Sequence, residues 1–150
     1  MISLGRKGTK LSTRSAQWLL DQIMERPAAS VKISDEVAEL AVWQAAFELA
    51  VVLRFVATTP VHEIAAYVQY MRTSFHADLK KIVPIEAEAM IRAALGEDLD
   101  LSGIRQQQRA HVYFTTFVLI VRERSMSEKQ LRSILIKAEN LARRRGFDPG

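Results

Sequence analysis

The chain has 150 residues, 49% of them apolar and 25% charged, which fits one globular domain large enough to bury its own core. It holds no cysteine, 6 glycines and 4 prolines, so disulfides, thiol catalysis, iron-sulfur clusters and cysteine-ligated zinc are excluded, and a collagen-like or loop-rich chain is not expected. The formal net charge of +4 is unevenly spread: residues 1–15 carry four basic residues and no acid, residues 122–145 carry 8 basic against 3 acidic, and residues 16–121 carry 9 basic against 13 acidic. Basic ends around an acidic middle suit a polyanion partner, or allow the ends of one protomer to attract the middle of another.

The pattern predicts an all-α protein, an antiparallel bundle of about six helices, with a basic arm over residues 1–12, one helical domain over 13–146 and a tail over 147–150. A first helix begins near Ser12 or Thr13 and stops at Pro27, with Ala16, Leu19, Leu20, Ile23 and Met24 on one face and Trp18 at its border. Ser34 can cap a second helix that carries Asp35 and Glu36 in its first turn and runs to about residue 57. That helix is apolar nearly all round, which predicts the central, most enclosed element. Thr59-Pro60 starts a third helix reaching about Ile82, where Val83-Pro84 stops it.

A short fourth helix is expected over residues 85–95, with Gly96 in the left-handed terminal conformation. The fifth segment, 104–124, contains the β-branched and aromatic run 112–121, and is read as helix because a lone strand would have nothing to pair with. The sixth begins at the capping box Ser127/Gln130, presents Leu131, Ile134, Leu135, Ala138, Leu141 and Ala142 on one face, and ends at Gly146. Arg143, Arg144 and Arg145 fill its last turn, where they offset the negative end of the helix dipole. The basic start lacks the apolar run of a secretory signal, and the charged residues within 37–57 would be costly inside a bilayer. A cytoplasmic, non-membrane protein is therefore expected.

Motifs for metal or hydrolytic chemistry fail on spacing. His62-Glu63 opens like a zincin helix, but the second histidine would fall at Ala66. No cofactor motif is found. Residues 98–103, DLDLSG, resemble the first six positions of an EF-hand loop, yet the twelfth position, which needs a bidentate glutamate, is Arg109. The alternative is that Asp100 or Ser102 caps the fifth helix. Gly5-Arg6-Lys7-Gly8 resembles the G-x-x-G loop of KH domains, which clamps a nucleic-acid backbone.

Residues 63–82, EIAAYVQYMRTSFHADLKKI, resemble the helix-turn-helix segment of bacterial DNA-binding proteins. The resemblance implies that Arg72, Thr73, Ser74 and His76 face the major groove, with Lys80 and Lys81 near phosphates. Gln69-Tyr70-Met71 stands where that motif usually turns on glycine, and the same residues also read as one uninterrupted amphipathic helix. Arg105 and His111, with Tyr113, resemble the motif of HEPN-type helical ribonucleases, which implies that the pair acts on the 2′-hydroxyl and the scissile phosphate.

Three functions are compatible with these readings. The first is a non-catalytic interaction or adaptor protein, or a small subunit of a larger assembly, forming a homo-oligomer or binding a protein partner through Phe114, Phe117 and Ile120. The second is nucleic-acid binding through residues 63–82 or through the basic ends, with Arg6, Lys7, Lys10, Arg143, Arg144 and Arg145 as contacts. The third is a HEPN-like ribonuclease.

Overall fold

A computed structural model of the chain describes residues 10–25, 40–74 and 82–147. Within them lie six α-helices and no strand: α1 Arg14–Ile23, α2 Leu40–Arg54, α3 Val61–Ser74, α4 Pro84–Ala94, α5 Gln106–Glu123 and α6 Glu128–Arg144. The expected Ser34 cap, with Asp35 and Glu36, lies outside the described residues.

Local chemistry sets most of the ends. Thr13 is the N-cap of α1, its side chain accepting from the Ala16 N–H at 3.2 Å. Ser127 and Gln130 form the reciprocal capping box of α6, with Ser127 N–H donating to Gln130 Oε1 at 2.9 Å. Pro84 opens α4, where its missing N–H has no helical acceptor to lose. At the other ends, α4 and α6 close on Gly96 (φ 103°) and Gly146 (φ 99°), each followed by a bond from the next N–H back five residues, Glu97 to Arg92 and Phe147 to Ala142. The end of α5 has the same geometry without glycine: Ser125 takes φ 48°, and Met126 N–H reaches the Val121 carbonyl. The fifth helix is capped by Arg105 without a side-chain bond, not by Asp100 or Ser102. Asp100 instead accepts from Ser102 N–H at 2.9 Å, a turn within the preceding loop.

The second helix is the axis of the bundle. It packs most extensively on α5 and α6 and also meets α1 and α4, while α3 lies on α4 and α5. Val42, Ala45, Ala46, Phe47, Ala50 and Val51 are all buried, and the alanines allow α5 and α6 to approach closely. The interior of α5 is equally enclosed, with Thr116, Phe117, Val118, Leu119, Ile120 and Val121 buried in succession. One helix can be buried on every side only where neighbours cover every side. Here the middles of two helices are enclosed, because α2 and α5 pack on each other, α6 packs on α2 and α3 on α5.

Candidate functional site

Of the seven large apolar side chains exposed among the described residues, four lie where α2 ends and α3 begins. Val52 is 55% exposed, Val56 63%, Val61 49% and Leu53 40%. Arg124, just after α5, donates to the Leu53 carbonyl at 3.2 Å and ties the end of α5 to this corner. Tyr70, 50% exposed, lies farther along α3 on the side of Tyr67. Val83 and Ile85 are also exposed, at the start of α4.

Two shallow clefts flank the corner. One, of about 340 Å³, is lined by Arg54, Phe55, Glu63, Ala66, Tyr67, Tyr70 and Glu123. Its floor is a fixed aromatic and charged cluster. Phe55 meets Tyr67 edge to face at 5.2 Å, and the Arg54 guanidinium lies 4.8 Å from the centroids of both rings. The Tyr67 hydroxyl donates to Glu123 Oε1 at 2.6 Å. Burial, reinforced by the neighbouring carboxylate, raises the Tyr67 pKa far above the ordinary phenol value, in keeping with its place as the donor to Glu123. The second cleft, about 320 Å³, lies between the start of α3 and the end of α4, lined by Ala57, Thr59, Val61, Ile64, Leu95 and Gly96 with the Arg92–Glu97 ion pair at its rim.

A second surface is polar. Glu139 is buried at 2% exposure beneath α1. Its Oε2 accepts from Ser12 N at 2.9 Å, Thr13 N at 2.7 Å and Thr13 Oγ1 at 2.6 Å. Arg143 donates to Ser12 Oγ and, at 3.2 Å, to Asn140 Oδ1. The residues leading into α1 therefore meet the basic end of α6 at Ser12.

The expected interface residues lie in the protein's own interior. Phe117 and Ile120 are fully buried, and Phe114 is half-buried against Trp18 (5.3 Å) and Trp43 (6.1 Å), whose indole N–H donates to the Ser15 carbonyl at 3.2 Å. This corrects the sequence expectation, and the reason is packing: α5 is a second core helix, so its aromatic stripe has no free face.

The helix-turn-helix resemblance meets one continuous helix. The chain stays helical through Gln69-Tyr70-Met71, where that motif would turn. Arg72 donates to Gln69 Oε1 at 3.4 Å, and the Thr73 and Ser74 hydroxyls donate back to the Tyr70 carbonyl at 2.9 and 2.7 Å. His76, Lys80 and Lys81 lie outside the described residues, as do Arg6 and Lys7. Lys10 is exposed, Arg144 is exposed, and Arg145 pairs with Glu48 at 2.6 Å. Arg105 is exposed at the N-cap of α5 and His111 half-buried; six residues apart, they point roughly 120° away from each other around the helix. Arg109 turns into the EF-hand-like loop and donates to the Ile104 carbonyl at 3.1 Å and to the Leu101 carbonyl, so a cation occupies that loop. No group of three or more potential metal ligands occurs among the described residues, and none of their helices is long and apolar enough to cross a membrane.

Comparison of the chain with protein-family models, with curated proteins and with solved structures finds no match in any of the three.

Proposed function

We propose that the protein is a non-catalytic helical interaction module that pairs with a second copy of itself through the corner between α2 and α3. The observation that carries this reading is the run of exposed apolar side chains Val52, Leu53, Val56 and Val61 across the junction between α2 and α3. A second copy is the occupant that fits the charges. The corner carries cations at Arg54 and Arg124 and anions at Glu63 and Glu123. A two-fold interface sets a patch against its own inverted copy, so a patch of both signs can neutralise itself. A strongly acidic or basic partner would leave one pair of charges opposed by like charge.

Sedimentation equilibrium over the micromolar range tests the reading. The chain is expected to associate with concentration, and Val56→Asp to remain monomeric with an unchanged helical circular-dichroism spectrum, since the position is exposed. A wild-type chain that stays monomeric throughout, or a variant that associates equally well, overturns it.

A further inference from the structure

We infer that the outward face of α6, joined by the start of α1, binds the phosphate backbone of duplex nucleic acid. This surface is separate from the α2–α3 corner and stands whether or not the protein pairs there. Its basis is the contact of Ser12, which follows the exposed Lys10, with Arg143 at the end of the basic helix α6.

One acid of α6 is buried and the other paired, while four of its cations stay exposed. The helix has two carboxylates: Glu128 pairs with Arg132 at 2.9 Å, and Glu139 is buried against Ser12 and Thr13. Lys129, Lys137, Arg143 and Arg144 are exposed, separated by the neutral Gln130, Ser133 and Asn140. Arg143 is held by Ser12 Oγ and Asn140 Oδ1. Both partners are neutral, so they orient the guanidinium without cancelling its charge. Lys10, also exposed, precedes Ser12 by two residues in the segment that leads into α1.

Geometry selects the ligand. Lys129, Lys137 and Arg144 follow one another at roughly 12 and 10 Å along a rigid helix axis. A row carried on a rigid helix suits a ligand that is itself stiff and evenly charged, since neither backbone then has to be ordered on binding. Duplex nucleic acid has that character, with a persistence length of about 50 nm and a charge every ~1.7 Å. Single strands are held by aromatic stacking platforms, and α6 contains no aromatic residue. An acidic peptide would have to be ordered along the row at an entropic cost.

The test is fluorescence anisotropy of a labelled DNA duplex with the full chain, titrated at several salt concentrations. If Lys10, Lys129, Lys137, Arg143 and Arg144 each neutralise a phosphate, log affinity falls against log salt with a slope of about −4 to −5. The double variant Lys137→Glu/Arg144→Glu is expected to lose at least about tenfold in affinity at low salt and about 2 in the size of the slope. Arg92→Glu, which makes the same charge change on α4 as Lys137→Glu makes on α6, is expected to bind within about twofold of wild type, with circular dichroism verifying the fold of each variant. Absence of binding at low salt overturns the inference. So does weakening by Arg92→Glu equal, per charge changed, to that of the double variant, which would reduce the effect to net charge. Displacement of the duplex by poly-glutamate as readily as by unlabelled duplex, charge for charge, overturns it in favour of an acidic protein partner.

Discussion

Glu139 and Thr13, 126 residues apart in sequence, share two short hydrogen bonds: the carboxylate accepts from the Thr13 N–H at 2.7 Å and from its hydroxyl at 2.6 Å. Thr13 caps α1 with the same hydroxyl oxygen, which accepts from Ala16 N–H. One buried carboxylate thus serves the donors at the start of α1 that no helical carbonyl can reach. Truncation strands those donors away from water. Glu139→Ala is expected to lower the unfolding free energy by about 3 kcal/mol, and Glu139→Gln by less because its amide oxygen still accepts. Urea unfolding monitored by circular dichroism checks both values, and a loss of under about 0.5 kcal/mol for Glu139→Ala would contradict this role for the carboxylate.

Phe117 fills the interior between α5 and its neighbours without a surface face. Phe117→Ala is expected to cost about 3 to 5 kcal/mol through lost burial and a residual cavity. Because the contacts are intramolecular, the loss in thermal midpoint should be the same at low and high protein concentration. A midpoint loss that grows with concentration would return Phe117 to an interface between chains.

Ser125 holds a left-handed backbone (φ 48°) that costs an ordinary residue about 1 kcal/mol and glycine almost nothing. Ser125→Gly is therefore expected to stabilise the fold by about 0.5 to 1 kcal/mol. Thermal denaturation of the variant measures the gain, and a decrease in midpoint would contradict the assigned conformation.

The Tyr67 phenol loses its proton less readily when folded than when unfolded, chiefly through burial and then through its bond to Glu123. Such a group contributes stability that is present below the unfolded value of about 10 and is lost as pH rises above it. Tyr113, also raised by burial, acts in the same direction. The thermal midpoint is expected to fall steeply above pH 10, with tyrosinate absorbance rising together with loss of helix. Tyr67→Phe should cost about 1 kcal/mol at neutral pH and make the alkaline fall shallower. An unchanged alkaline profile in that variant would exclude Tyr67 as its source.

Helix ends were legible wherever one residue type determines the local chemistry. Thr13, Pro84, Ser127 with Gln130, Gly96 and Gly146 all stand where capping rules place them. The turn at Ser125 was not legible, because serine carries no preference for the left-handed region and the bonds that hold it there come from the preceding helix. Enclosure of α2 followed from its pattern, but enclosure of α5 did not. Periodicity identifies an apolar face and is silent about what covers it when two helices are apolar all round. For the same reason Phe117 and Ile120 were assigned to a surface, while the exposed Val52 and Val56 looked no different from their buried neighbours Val51 and Phe55.

The site residues divide along similar lines. Basic ends were visible as composition, but that the residues leading into α1 meet α6 depends on Glu139, whose sign in sequence was slight: a carboxylate four residues after Leu135 and three before Ala142, inside an apolar stripe. A charge at a core position implies a partner that must come from elsewhere in the chain. Nothing in residues 10–25 marks Thr13 as that partner beyond its role as a local cap.

The seam between α1 and α6 also bears on synthesis. Glu139 is added 126 residues after Thr13, so the start of α1 has to wait through that stretch of synthesis for its buried acceptor. A ten-residue helix is marginal in water by itself. Leu19 and Leu20, both buried in the folded chain, therefore belong to an element whose buried cap partner is supplied only with α6.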